Sequence, residues 1–100
     1  MKENTYIIKA INSKVYLLPD VTPAKINLLS TIYALGVANK QSIIRHLKFS
    51  HYEYLYFMKL LKADEAINIE GKSIQANKRG EEMLVGIFGE DVKTTKGALM

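Results

Sequence analysis

Asn39-Lys-Gln-Ser-Ile-Ile-Arg-His-Leu-Lys-Phe-Ser50, His51-Tyr-Glu-Tyr-Leu-Tyr-Phe-Met-Lys-Leu-Leu61 and Ala66-Ile-Asn-Ile-Glu-Gly-Lys-Ser-Ile-Gln-Ala-Asn-Lys-Arg-Gly80 follow one another in the chain, and their order decides the fold. Asn39 suits the cap of a helix whose apolar side is Ile43, Ile44 and Leu47, and Ser50 suits the cap of the next. At 100° per residue, Phe57, Met58 and Leu61 cluster within about 60° of Tyr54, whereas Tyr52, Tyr56, Lys59 and Ala63 point the other way. One side of that helix is built to pack and the other is left available. Ala66–Glu70 and Ser73–Ala76 read as strands around Gly71-Lys72, a two-residue loop with glycine first, as a type II′ turn prefers.

Outward from this unit the pattern continues. Asn77 caps a last helix carrying Met83, Leu84, Ile87 and Phe88, and Gly89 stops it. Residues 90–100 have little to pack and read as a frayed tail, leaving 1–89 as the domain. Upstream, Thr22-Pro23 is a helix start, since proline at the first helical position forfeits no hydrogen bond. Ile26, Leu29, Ile32 or Tyr33, and Leu35 follow at helical spacing, and Gly36 supplies the left-handed exit. Thr5–Ile11 and Lys14–Leu18 are rich in β-branched and aromatic residues, as a hairpin or a single bent strand requires.

Composition narrows the class. One hundred residues, nearly half of them apolar, support a single core. The absence of cysteine excludes a disulfide scaffold or a zinc finger and suits a reducing, cytoplasmic setting. Met1-Lys2-Glu3-Asn4 is followed by no long apolar run, so neither a signal peptide nor a membrane span is expected. The net charge of +4 is unevenly placed: residues 1–50 carry seven bases against two acids, residues 51–100 seven against eight. Such a bias suits a polyanionic partner.

Taken in order, these elements resemble the winged helix-turn-helix family, in particular its small MarR-like and archaeal or viral transcription regulators. The family's second-helix pattern falls on Ile43-Ile44, Leu47 and Phe49-Ser50, and its recognition-helix core on Tyr54, Phe57, Met58 and Leu61. Its helix exit falls on Lys62-Ala-Asp-Glu-Ala-Ile67, and its closing Leu-Thr-x-x-Gly on Ala76-Asn-Lys-Arg-Gly80. The likeness covers about residues 22–88. It implies an α+β fold: a three-helix core with N-terminal strand or strands, a short β-hairpin wing and a C-terminal helix. Two departures stand out. Glu65 occupies the family's glycine at the helix exit, and the wing tip is only Gly71-Lys72.

The same resemblance implies duplex DNA as partner, with helix 50–63 in the major groove. His51, Tyr52, Glu53 and Tyr56 would then lie at the major groove, with the capping Ser50 also among the DNA-binding residues, and Glu53 is chemically able to accept from a cytosine amino group. Lys40, Gln41 and Arg45 lie along the preceding helix, which crosses the DNA backbone in this motif, and Lys40 and Arg45, with Lys59 and Lys72, would meet phosphates. A homodimer is expected, joined through Tyr6, Ile8 and Tyr16 or through Ile87 and Phe88. No cofactor, small-molecule ligand or metal is implied: His46 and His51 have no cysteine or carboxylate at ligand spacing. No catalytic motif is present, and Gly71 and Gly80 read as turn glycines rather than a phosphate loop. The rival readings are a winged-helix protein-interaction module, such as a virus- or plasmid-encoded inhibitor of a host complex, and an architectural protein that coats DNA.

Overall fold

A single helix, buried on every side, organises the molecule. The computed structural model describes residues 23–99. Helix α1 spans Pro23–Leu35, and every residue from Ile26 to Leu35 is buried. Its sequence explains this, because Leu28, Leu29, Ile32, Tyr33 and Leu35 leave no continuous polar side. Ser30 folds its hydroxyl back onto the Ile26 carbonyl (2.9 Å), so one buried polar group is satisfied within the helix. Around α1 pack α2 (Lys40–Leu47), α3 (His51–Ala63), the antiparallel pair β1 (Ile67–Glu70) and β2 (Ser73–Ala76), and α4 (Lys78–Phe88). Among the described residues the architecture is α+β, helices with one two-stranded sheet. The strand expectations at Thr5–Ile11 and Lys14–Leu18 lie outside the described residues.

Side-chain caps set the helix starts where the sequence places them. Asn39 Oδ1 accepts from Ser42 N (2.8 Å), while Asn39 N donates to Ser42 Oγ (3.1 Å). Ser50 and Glu53 form the same reciprocal box at α3, with Glu53 N donating to Ser50 Oγ (3.1 Å) and Ser50 N to Glu53 Oε1 (2.8 Å). Lys48, at φ 56°, turns the chain between the two helices. At the far end of α3, Glu65 sits at φ 57°, a left-handed conformation that disfavours any residue with a Cβ. Neighbours hold it there: Asn77 Nδ2 donates to the Glu65 carbonyl (2.9 Å), and Lys25 reaches Asp64 Oδ2 (2.6 Å) across the helix exit. Glu65→Gly is expected to raise stability by about 0.5–1 kcal/mol, read from the urea midpoint. An unchanged or lower midpoint would show that the strain is absent.

The hairpin register pairs Ile67 with Ala76 and Glu70 with Ser73, and Gly71 takes φ 62° at the turn. Ala38, between α1 and α2, adds a further rung: its N–H and carbonyl exchange hydrogen bonds of 2.8 Å with Ile74. A lone alanine in a connector carries no strand signal, so this tie between the hairpin and the helix pair is visible only in three dimensions.

Three expectations change. Gly80 is no turn residue; it lies in the first turn of α4, buried against the Ala66 carbonyl, with its N–H on Asn77 Oδ1 (2.9 Å). Phe88, assigned to a dimer surface, belongs to the monomer core, and Ile87 beside it is half-buried. Residues 90–99, read as a frayed tail, are docked. Glu90–Thr95 form a 3₁₀ turn with Val92 and Thr95 buried, and Gly97 N and Leu99 N donate to the Tyr33 and Ala34 carbonyls (3.1 and 2.9 Å). The last carbonyls of a buried helix need partners, and this backbone supplies two of them whatever its side chains.

Tyr33 Oη donates to Glu81 Oε2 (2.6 Å), joining α1 to the first turn of α4. Burial, then the hydrogen bond and the charge of Glu81, push the Tyr33 phenol well above its ordinary range. A raised folded-state value favours the protonated phenol. This contribution is therefore full below the unfolded value of about 10 and is lost as pH rises beyond it. Stability of the native chain should accordingly fall more steeply above pH ~10 than that of Tyr33→Phe, measured as urea midpoints. Parallel alkaline limbs would reject this link.

Candidate nucleic-acid interface

Helix α3 has two chemically distinct sides. Tyr54, Met58 and Leu61 are buried against the core, with Phe57 half-buried beside them, as the helical spacing predicts. The outer side carries Tyr52 (81 % exposed), Leu55 (50 %) and Tyr56 (58 %), together with exposed Lys59. The rings there are braced. Tyr56 stands edge-on to Phe57 at 5.1 Å between centroids, Phe57 packs against Phe49 at 5.5 Å, and His51 meets Tyr52 at 5.9 Å. Bracing limits the rotamer entropy that Tyr56 would lose on binding.

Beside this helix runs a groove of about 540 Å³ between the start of α2, the flank of α3 and the hairpin tip. Its floor is apolar, from Tyr54, Met58 and Ile74, and Leu55 and Ile69 line it further out. Lys40, Lys59, Lys62 and Lys72 also line it, and among the described residues no acid does. Lys40 is the most constrained: its ammonium lies 2.8 Å from His51 Nδ1, to which it donates, and 5.5 Å from the Tyr54 ring centre. Burial raises the Tyr54 phenol above its usual range, so the ring under that ammonium stays neutral. Among the described residues Lys59, Lys62 and Lys72 make no ion pair, whereas Asp64, the acid nearest in sequence to Lys62, is taken by Lys25. The result is an acid-free strip of ammonium groups in a concave surface, a shape that focuses positive potential.

The ten residues named from the sequence fall into four groups. Lys40, Gln41, Lys59 and Lys72 come together along the groove, with His51 bonded to Lys40. Tyr52 and Tyr56 occupy the exposed ridge next to it, and Arg45 is exposed on α2 but lines no part of the groove. Ser50 and Glu53 are exposed yet engaged with each other in the cap, which occupies the Glu53 oxygen nearest the helix start. Glu53 is accordingly less free to read a cytosine than its position suggests. Leu55, Lys62 and Ile69 were not foreseen. Leu55 was legible, since it lies three residues from Tyr52 and four from Lys59 on the same helical face. Ile69 was not: its alternation with Ile67 marks a buried residue, but the hairpin carries it past the edge of the core.

Among the described residues no cluster of three or more His, Asp or Glu side chains is placed to hold a metal ion, and no helix is long and apolar enough to cross a membrane. Compared with family models, curated proteins and solved structures, the chain finds no match.

Proposed function

We propose that this chain is a winged helix-turn-helix regulator of transcription that docks α3 in the major groove of duplex DNA. The order helix, one-rung bridge, helix, helix, hairpin supports that fold, with Ala38 as the short strand between the first two helices. The observation that carries the function is the groove of Lys40, Lys59, Lys62 and Lys72, lined by no acid among the described residues, between an exposed helix and a hairpin tip. A phosphate strand running along that groove would set α3 against the bases, with the lysines neutralising charge. One such module makes few contacts, so two copies on a two-fold operator are the natural working unit. The test is binding to duplexes selected from random sequence, measured across a salt series beside a sizing experiment. Binding that falls steeply with salt supports the reading, and a flat curve rejects it.

One observation favours a second reading. Tyr52, Leu55 and Tyr56 form an unusually apolar ridge for a DNA-facing helix, and tyrosine is a frequent anchor of protein interfaces. A winged-helix module that binds a protein would lose affinity with Tyr52→Ala and little with Lys59→Ala; DNA binding would feel both.

A further inference from the structure

We infer that the exposed ridge of α3 reads the 5-methyl groups of thymine, so that its preferred duplex is T-rich in the major groove. The inference rests on the DNA reading above and concerns which bases that surface selects. Polar groups at the start of α3 are largely committed inside the protein. The Ser50 hydroxyl and one Glu53 oxygen close the capping box, and His51 Nδ1 accepts from Lys40. No arginine, asparagine or glutamine occurs in α3, so of the usual readers of guanine and adenine only lysine remains, and Lys59 and Lys62 are placed toward phosphates by the reading above. What remains outward is Tyr52, Leu55 and Tyr56, within an arc of about 100° on the helix. A rise of 1.5 Å per residue spreads them over roughly 6 Å, the span of about two base steps.

Within B-DNA's major groove, thymine is the base that offers an apolar group, its C5 methyl. An aliphatic Leu55 flanked by the rings of Tyr52 and Tyr56 is complementary to that group, and the only groups of this trio able to bond a base edge are the two phenol hydroxyls. Charge complementarity fixes the remaining part of the occupant, because Lys59 lies on the same ridge and Lys62 and Lys72 line the adjoining groove. A free protein surface of the same apolar character would not require that flank of ammonium groups, which make no ion pair among the described residues.

The experiment compares four 24-base-pair duplexes at fixed low salt: A·T, the same duplex with deoxyuridine for every thymidine, G·C, and G·C with every cytosine 5-methylated. Burying one methyl group changes affinity about fourfold, so two or three under one helix give at least a tenfold preference for A·T over A·U. Methylating cytosine should recover several-fold affinity for G·C, which separates methyl contact from groove shape. Leu55→Ser, a change at a half-exposed position, should shrink the T-to-U ratio while the salt slope stays intact. Equal binding of A·T and A·U within twofold overturns the inference and leaves the DNA reading standing. A preference for A·T that survives uridine substitution also overturns it, in favour of shape readout. Failure of all four duplexes to bind overturns both.

Discussion

Gly80→Ala should unfold this protein at a temperature roughly 10–20 °C lower, although alanine is the better helix former by about 1 kcal/mol. Gly80 lies in the first turn of α4, and a Cβ there would stand 2.3 Å from the Ala66 carbonyl oxygen and 3.2 Å from Leu29 Cδ1. A flexible side chain would yield; this oxygen has little room to. The Ala66 carbonyl accepts from Asn77 N (3.1 Å), and the Ala66 N–H is held by the Leu61 carbonyl (3.1 Å). Relief requires α4 to move off α1 and the hairpin, taking Leu84 out of the core and pulling Glu81 from Tyr33. Overpacking costs about 1–3 kcal/mol, and the loosened contacts add to that, against the small gain in propensity. Thermal unfolding by circular dichroism measures it, and a melting temperature within 2–3 °C of the native chain's, about half a kcal/mol, would show that the close approach is not rigid.

On the proposed DNA reading, Lys59→Ala, Lys62→Ala and Lys72→Ala together should cost more in DNA affinity than any other change that leaves the fold alone. Each ammonium set on a phosphate releases counterions, so each loss should lower the slope of log affinity against log salt by about 1 unit. At moderate salt the triple variant should bind at least a hundredfold more weakly. These three are chosen over Lys40 because they make no ion pair among the described residues, while Lys40 is bonded to His51 and stacked near Tyr54. Their removal should leave the urea midpoint within about 0.5 kcal/mol of native, as surface changes do. Unaltered affinity with an unaltered slope would take the phosphate strand out of the groove.

Both results depend on tertiary proximity that residue patterns do not carry. Gly80 is legible as a glycine after a cap, but what approaches it is the carbonyl of Ala66, fourteen positions earlier. The lysines are legible as positive charge, yet nothing in their spacing places Lys40 and Lys72 along one groove. The tail misled for the same reason: its fit to Tyr33 and Ala34 is made by backbone N–H groups, which every residue but proline possesses.

Local chemistry was decided by the chain itself. Asn39, Ser50 and Asn77 cap their helices because their side chains reach the N–H three residues on. Gly71 turns the hairpin, and 3.6-residue periodicity turns Tyr54, Met58 and Leu61 inward and Tyr52 and Tyr56 outward. These are interactions within a turn or two of helix, so composition and spacing suffice. Only folding settled that Ala38 bridges to Ile74, that Phe88 is core, that residues 90–99 close over α1, and that four lysines share one groove. Those outcomes depend on which surfaces meet, and a packed interior chooses its neighbours by shape across the whole chain at once.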